Sequence, residues 1–303
     1  MTNIPSKEKD LLKRFLPKAV ISFFRKMVYP EKINLVEENL NSLFFSHYRG
    51  LAAPGFNQKT AIKNAEFKVC SKNGGDGILL HIFSKIGITD RTFVELGVED
   101  GRECNTANLS FNFGWQGMIV DADKEKIEIA RSCYSEKSPQ VKQVHCFITA
   151  DNINKLLLDN GFRGEIDLFS IDIDGNDYWV WREITAINPR VVVAEYNAAL
   201  GLKSMTIKYN PDFHYQKRHK ETPMYFGASL AALTKLADSR GYILVGCDSN
   251  GHDAFFVRKD VAEGKFTELA PENAFYPNPH AVKTVGNIDK QFEQIKHLDF
   301  ENI

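Results

Sequence analysis

Short apolar runs alternate along this chain with segments in which apolar residues recur every three or four positions. The runs predict buried strands and the segments predict helices. Strands are expected at residues 92–96, 117–120, 144–149, 166–173, 190–194, 242–247 and 254–258. This alternation indicates an α/β fold with helices on both faces of a mostly parallel sheet. The short turn Asp248-Ser-Asn-Gly251 makes the last two strands an antiparallel hairpin.

The pattern divides the chain into three parts. Residues 1–70 predict a helical amino-terminal extension, residues 71–262 the α/β domain, and residues 263–303 a tail with little pattern. Within the domain, residues 198–224 mix aromatic, basic and proline residues without periodicity, which is typical of a substrate loop or lid. Residues 11–28 form a basic amphipathic segment. It either packs on protein, including a partner subunit of a homo-oligomer, or contacts the inner face of a membrane peripherally.

Composition narrows the class of protein. Hydrophobic residues make up 43% and charged residues 25%, with a formal net charge of −1. These values are ordinary for a soluble protein and argue against a nucleic-acid binder, which normally carries a basic excess. The five cysteines form no C-x-x-C pair, and no apolar run is long enough to cross a bilayer. We therefore expect a cytoplasmic protein with reduced thiols.

The most informative segment is the first strand and the turn after it. Gly97 and Gly101 allow a tight turn in which backbone approaches a bound molecule closely. Glu95 lies on the buried strand itself, where a carboxylate is costly unless it meets a partner. A ligand with hydroxyls or a positive charge at this strand end would be such a partner.

Further polar residues follow the next two strands. Asp121 lies about 20 residues beyond the glycine turn, the spacing at which an acid binds a ribose in nucleotide-binding folds. Ala122 follows it, and Asp151 and Asn152 after the third strand are placed to border an adenine ring. Asp121 is alternatively a cap for the helix starting at Lys124.

The turn also bears on which nucleotide binds. Its pattern is G-x-x-x-G, with Glu99 and Asp100 inside it, and lacks the third glycine of a dinucleotide fingerprint. Two carboxylates would repel a pyrophosphate. A phosphate-free, cationic cofactor fits better, and S-adenosylmethionine (SAM) is one.

The chain resembles the class I SAM-dependent methyltransferases, whose first motif is similar to E-L-G-x-x-x-G at residues 95–101. S-K-N-G-G-D-G-I at 71–78, E-D-G-R-E-C-N-T at 99–106 and S-I-D-I-D-G-N-D-Y-W at 170–179 resemble the FkbM-type branch. The resemblance spans residues 71–260 and implies a Rossmann-like fold, SAM as cofactor and methylation of a sugar hydroxyl. The acceptor would be a glycan, a surface polysaccharide or a glycosylated metabolite. The resemblance also implies that Asp76, Asp121 and Asp172 contact the cofactor.

Acids concentrate at the ends of the fourth and fifth strands. Asp172 and Asp174 lie two residues apart, and Glu195 and Asn197 end the neighbouring strand with the same alternation. Carboxylate and amide oxygens suit Mg²⁺. By similarity to metal-dependent O-methyltransferases, Asp174, Glu195 and Asn197 are the predicted ligands, with Asp172 close behind. The alternatives are that these acids cap helices or bind the ammonium group of the cofactor.

Without a metal, methyl transfer to an oxygen requires a general base. The candidates are Asp174, Asp177, His252 and His214, although a histidine in a turn is also commonly just solvated. In the irregular loop, His214, Tyr215 and Arg218 are candidate acceptor-binding residues, since aromatic and basic side chains together suit a sugar. A solvated loop with a few packed aromatics is the other interpretation.

Two further functions remain open at the level of sequence. An NAD(P)-dependent oxidoreductase would share the strand order but is opposed by the missing glycine and the acidic turn. A non-catalytic SAM-binding assembly factor is opposed by the acids at strands four and five, which a scaffold has no need to bury.

Overall fold

The computed structural model describes residues 57–215 and 222–303. Seven strands form one sheet, and two short strands form another. The large sheet contains β1 (Thr92–Leu96), β2 (Gln116–Asp121), β3 (Val141–His145), β4 (Gly164–Ile171), β5 (Ile187–Glu195), β7 (Tyr242–Cys247) and β8 (Asp253–Arg258). The small sheet pairs β6 (Met205–Ile207) with β9 (Phe300–Asn302) in antiparallel orientation.

The large sheet has the order β3-β2-β1-β4-β5-β8-β7. The first five strands in this order are parallel, whereas β8 runs antiparallel to both β5 and β7. The carboxyl ends of the five parallel strands therefore meet at one edge. The fold class predicted from the sequence is confirmed, including the terminal antiparallel hairpin.

Helices surround the sheet and connect its strands. Those within the sheet-forming part are α1 (Gln58–Asn64), α2 (Gly75–Ile86), α3 (Ala107–Phe113), α4 (Lys124–Lys137), α5 (Ile153–Asp159), α6 (Asp177–Glu183) and α7 (Leu230–Ser239). The later ones are α8 (Lys259–Ala262), α9 (Pro271–Ala274), α10 (Pro279–Thr284) and α11 (Ile288–Ile295). A 3₁₀ turn spans Ala198–Leu200.

Several predicted bounds differ from the structure, and three differences concern whole segments or the start of a strand. The third strand begins at Val141 rather than 144, because Val141 to His145 pair in register with Gly117 to Asp121 of β2. The loop after β5 is not wholly irregular, since it contains β6. The tail expected to lack pattern folds into α9, α10, α11 and β9, and β9 holds β6 at the start of that loop.

The core lies on both faces of the sheet. Phe93, Val94 and Leu96 of β1 are fully buried, as expected for a parallel strand covered on both sides. Trp179 and Trp181 of α6 lie in this core and are 3% and 2% exposed. All five cysteines are described and are free thiols. Among the described helices, none combines the length and hydrophobicity needed to cross a membrane. The amphipathic segment 11–28 lies outside the described residues.

Candidate active site

A cleft of about 1510 Å³ opens at the carboxyl ends of the parallel strands. Ten of the predicted site residues line it: Glu95, Gly97, Asp121, Ala122, Asp172, Asp174, Glu195, His214, Tyr215 and His252. Ten carboxylates and only five Lys or Arg side chains line the described part of the cleft. The formal charge of this surface therefore favours a cationic ligand over an anionic one.

Glu95 is buried and is fully engaged by the protein itself. Its Oε1 accepts a hydrogen bond from the Asn105 N–H at 2.8 Å, and its Oε2 accepts from the Thr106 N–H at 2.9 Å and the Thr106 hydroxyl at 2.5 Å. Burial raises the pKa of Glu95, and these bonds oppose that rise. The partner that the buried carboxylate needs is thus the loop before α3, which Glu95 fixes against the cleft.

Asp121 joins two turns at the end of β2. Its Oδ2 accepts from the N–H groups of Val98 and Glu99 at 3.1 and 2.7 Å, and its Oδ1 accepts from the Asp123 N–H at 2.8 Å. The cap of α4 is Asp123, whose Oδ1 accepts from the Glu125 N–H at 2.9 Å. The structure thus assigns the capping role to Asp123, while Asp121 shapes the glycine turn and lines the cleft.

Basic side chains lie beside both acids of the glycine turn. Glu99 lies between Lys72 and Lys126, with Oε1–Nζ distances of 3.3 and 3.8 Å, and Asp100 pairs with Arg102. Basic side chains offset both carboxylates, so the turn repels a pyrophosphate less than its sequence predicts. The deeper carboxylates of the cleft are what disfavour an anionic ligand.

Asp76 lies beneath the cleft wall. Its Oδ2 accepts from the N–H groups of Val69, Cys70 and Ser71 at 2.6–2.8 Å, and its own N–H donates to the Ser71 hydroxyl. Asp76 is fully buried, and Val69 and Cys70 line the cleft in its place. Its contribution to ligand binding would be the shape of this loop.

The residues predicted to border an adenine act through their neighbours. Asn152 accepts from the Thr149 N–H at 2.9 Å and donates to the Phe147 carbonyl at 2.8 Å, which places Phe147 on the cleft wall. Asp151 accepts from the Tyr209 hydroxyl at 3.1 Å. Ala122 lines the cleft and its carbonyl contacts His145 Nε2 at 3.1 Å.

Asp172, Asp174 and Glu195 form an acidic cluster, with one carboxylate oxygen of each lying within 4.8 Å of the others. Asp172 and Asp174 face the open cleft, whereas Glu195 is 8% exposed. The buried Oε2 of Glu195 finds no hydrogen-bond donor among the described residues. Three oxygen donors around one point, one of them buried without a donor, are a suitable site for a hard cation.

Two predicted residues support this acidic cluster from outside it. Asp177 accepts from the N–H groups of Ile173 and Gly175, both at 2.8 Å, and so holds Asp174 at φ +54°, a left-handed conformation. Asn197 donates to the carbonyls of Met224 and Phe226 at 2.8 and 2.9 Å. Its Oδ1 accepts from the Ala199 N–H at 3.0 Å, so its amide is occupied by backbone. Asp172, and not Asn197, completes the cluster.

The pKa values in the acidic cluster are raised because its carboxyl groups are buried and lie close together. Although Asp172 faces the cleft, the surrounding protein displaces much of its water, and Glu195 and Asp174 repel its charge, so its pKa is raised well above the usual range. Burial and repulsion from Asp174 and Asp177 raise the pKa of Glu195 strongly. Burial and repulsion from Asp177 and Glu99 raise the pKa of Asp174 to about 6. Such a group needs either a bound cation or a shared proton.

Asp253 is a cleft residue that the sequence did not single out. It lies opposite Glu195 in the β5–β8 pairing and is 7% exposed. Burial and the nearby Asp248 raise its pKa to about 7. Asn105 donates to it at 3.3 Å. Its position next to His252 in the hairpin turn is the sequence feature that could have identified it.

His252 contacts a residue of the carboxyl-terminal tail. Its Nε2 lies 2.9 Å from Asn278 Nδ2, and its Nδ1 lies 3.8 Å from Glu195 Oε1. Asn278 was also missed from the sequence. The Asn-Pro pair at 278–279 is a helix-start signal, and Asn278 does cap α10, but nothing local indicates a contact with His252.

The substrate loop brings His214 and Tyr215 to the cleft. The His214 ring packs against Phe147 with centroids 4.6 Å apart. The Tyr215 hydroxyl donates to the Pro223 carbonyl at 3.0 Å, which anchors it at the cleft rim. Arg218 lies outside the described residues.

No protein-family model matches this sequence, and no curated protein sequence matches it either. Its structure is similar to that of several methyltransferases. An O-methyltransferase from Bacillus cereus in complex with SAH is 14% identical, with a TM-score of 0.39, covering 78% of this chain and 95% of that one. A SAM-dependent methyltransferase from Clostridium acetobutylicum is 10% identical (TM-score 0.37; 58% and 87% covered).

The mitomycin 7-O-methyltransferase is 12% identical, with a TM-score of 0.35, and the match covers 78% of this chain. This chain spans about three fifths of the length of the mitomycin 7-O-methyltransferase. A likeness at such identities and TM-scores says nothing of activity or substrate.

Proposed function

We propose that this chain is a SAM-dependent O-methyltransferase that acts on a saccharide hydroxyl of a glycan, surface polysaccharide or glycosylated metabolite, as the FkbM-type motifs imply. The observation that carries the proposal is that the glycine turn with Asp121 and the acidic cluster line one cleft. The glycine turn with Asp121 would bind the nucleoside part of the cofactor. The acidic cluster would bind the polar reacting group of the acceptor.

The size and charge of the cleft support this proposal. Small-molecule sites usually measure about 300–1,000 Å³. At about 1510 Å³, the cleft has room for a cofactor and an acceptor together. Its excess of carboxylates suits the sulfonium and ammonium groups of SAM and disfavours the pyrophosphate of NAD(P).

Methyl transfer to a hydroxyl requires little chemical participation by the protein. A hydroxyl oxygen of the acceptor attacks the methyl carbon, the carbon–sulfur bond breaks, and the hydroxyl proton leaves to a base. Orientation of oxygen and methyl group in line is the main requirement. Asp174, whose pKa of about 6 leaves it ionised at neutral pH, would take the proton where no metal takes part.

The acidic cluster also fits Mg²⁺. Asp172, Asp174 and Glu195 would hold it, because three carboxylates, one of them with a buried oxygen lacking a donor, match a hard cation. When bound, the ion would lower the pKa of a sugar hydroxyl. Asp177 would keep Asp174 in place in either mechanism.

Calorimetric titration with S-adenosylhomocysteine, with and without Mg²⁺, tests this proposal. We expect binding to the wild type and at least about tenfold weaker binding to Asp121→Ala, a loss of about 1.4 kcal/mol. Asp238→Ala, at an exposed position of α7 outside the cleft lining, is the matched control and should bind like the wild type. A wild type that does not bind would overturn the cofactor assignment. Normal binding by Asp121→Ala would overturn only its role.

A further inference from the structure

The contact between Asn278 and His252 determines which nitrogen of the histidine carries the proton. Asn278 Oδ1 accepts from the Ala281 N–H at 3.0 Å as the cap of α10. That bond fixes the orientation of the amide, so its NH₂ group faces His252. Nδ2 then donates to His252 Nε2 across 2.9 Å.

A ring nitrogen that accepts a hydrogen bond is unprotonated. The neutral His252 ring therefore carries its proton on Nδ1, the nitrogen 3.8 Å from Glu195 Oε1. In this state the ring offers Glu195 a donor. Its basic nitrogen is turned toward Asn278 and away from the acidic cluster.

We propose that Asn278 is a positioning residue of the active site, which holds His252 as the Nδ1–H tautomer directed at Glu195. The role of this arrangement in catalysis rests on the proposed function, but the tautomer itself does not. His252 is then not the general base that the sequence suggested. Its Nδ1–H faces the carboxylate at the end of β5 across 3.8 Å, and Asn278 makes the carboxyl-terminal tail a part of the site.

The test is ¹⁵N NMR of the full chain labelled at histidine. The chain has eight histidines, and His252→Gln identifies the signals of His252 by their loss. In the wild type we expect the unprotonated shift for Nε2 and the protonated shift for Nδ1. In Asn278→Asp, one oxygen still caps α10, but the other can only accept, so Nε2 should become protonated.

Two further variants control this comparison. Asn287→Asp makes the same exchange at the cap of α11, where Asn287 Oδ1 accepts from the Lys290 N–H at 3.1 Å, and should leave the His252 signals unchanged. Asn278→Ser keeps a capping residue but is too short for His252, and should give a mixture of tautomers.

A wild-type spectrum with Nε2 protonated, or an Asn278→Asp spectrum that keeps Nε2 unprotonated, would overturn the proposal. The measurement needs no cofactor and no acceptor. Failure of S-adenosylhomocysteine to bind would therefore overturn the proposed function without touching the tautomer. Thermal unfolding of each variant verifies that it is folded.

Discussion

Gly97 touches the backbone of Asp172: a Cβ at position 97 would lie 1.6 Å from the Asp172 carbonyl oxygen. Gly97 also has φ +79°, a left-handed conformation that favours glycine. The turn after β1 and the acid-bearing end of β4 are thus packed backbone to backbone. The two halves of the cleft share this contact.

Gly97→Ala should therefore damage both stability and ligand binding. We expect a loss of about 2–5 kcal/mol in the free energy of unfolding, from the left-handed backbone and from overpacking. Gly114→Ala is the control, because Gly114 has φ +66° but no atom within 4 Å of an added Cβ. It should lose only about 1–2 kcal/mol. Urea unfolding measures both, and equal losses would contradict the contact.

Asp177→Asn should loosen the loop that carries Asp174. One of the two backbone N–H groups, of Ile173 or Gly175, would lose its acceptor, at a loss of about 1–3 kcal/mol in stability. Mg²⁺ binding should weaken with it, because Asp174 is no longer held at positive φ. The exposed Asp289 of α11 provides a control: Asp289→Asn should change stability by at most about 0.5 kcal/mol.

Glu195→Gln should raise stability in the absence of metal and abolish stabilisation by Mg²⁺. The substitution removes one of three close carboxylates and gives the buried Oε2 site a donor in place of an unpaired acceptor. In the wild type, Mg²⁺ at a hundred times its Kd should add about 2.7 kcal/mol. Thermal unfolding with and without Mg²⁺ measures both the metal-free stability and the stabilisation by the ion. A wild type indifferent to Mg²⁺ would favour a proton shared by Asp172 and Glu195.

Asp167, at the edge of the sheet opposite the cleft, provides a prediction of how stability depends on pH. Burial alone would raise the pKa of Asp167, but hydrogen bonds from Thr89 and the ion pair with Arg190 at 2.7 Å outweigh it, so the pKa is lowered. The resulting stabilisation is fully present above the unfolded pKa of about 4 and is lost as the pH falls through the folded value.

Asp167→Asn should therefore lose about 3–5 kcal/mol at neutral pH, since it leaves Arg190 buried without its partner. Below about pH 3 the difference from the wild type should shrink, because the wild-type carboxylate is then protonated as well. Urea unfolding at several pH values measures the difference. A constant difference would contradict the lowered pKa.

Much of the fold is predictable because its signals are local. The strand at Thr92–Leu96 has the predicted bounds, as does β7 at Tyr242–Cys247. A run of apolar residues identifies a buried strand wherever it occurs, and parallel strands bring their carboxyl ends to one edge. The convergence of Asp121, Asp172 and Glu195 on the cleft follows from that rule.

The partners of the polar side chains were less predictable. Glu95 appeared to need a ligand, yet Asn105 and Thr106 satisfy it. Asn197 was predicted to bind a metal through its amide oxygen, yet that oxygen accepts from the Ala199 N–H and the NH₂ group donates to backbone carbonyls. Sequence periodicity states which side of an element a residue faces, but not which donors will reach it.

The sequence alone therefore determined the seven strands of the large sheet and their alternation with helices, the glycine turn and the acids at the strand ends, because these depend on local pattern and chain direction. The tertiary structure decided that Asp172 joins Asp174 and Glu195, that Asp177 acts as a support, and that Asn278 reaches His252. The reason is physical: a hydrogen bond is set by distance and direction in three dimensions, and segments far apart in the chain supply both partners.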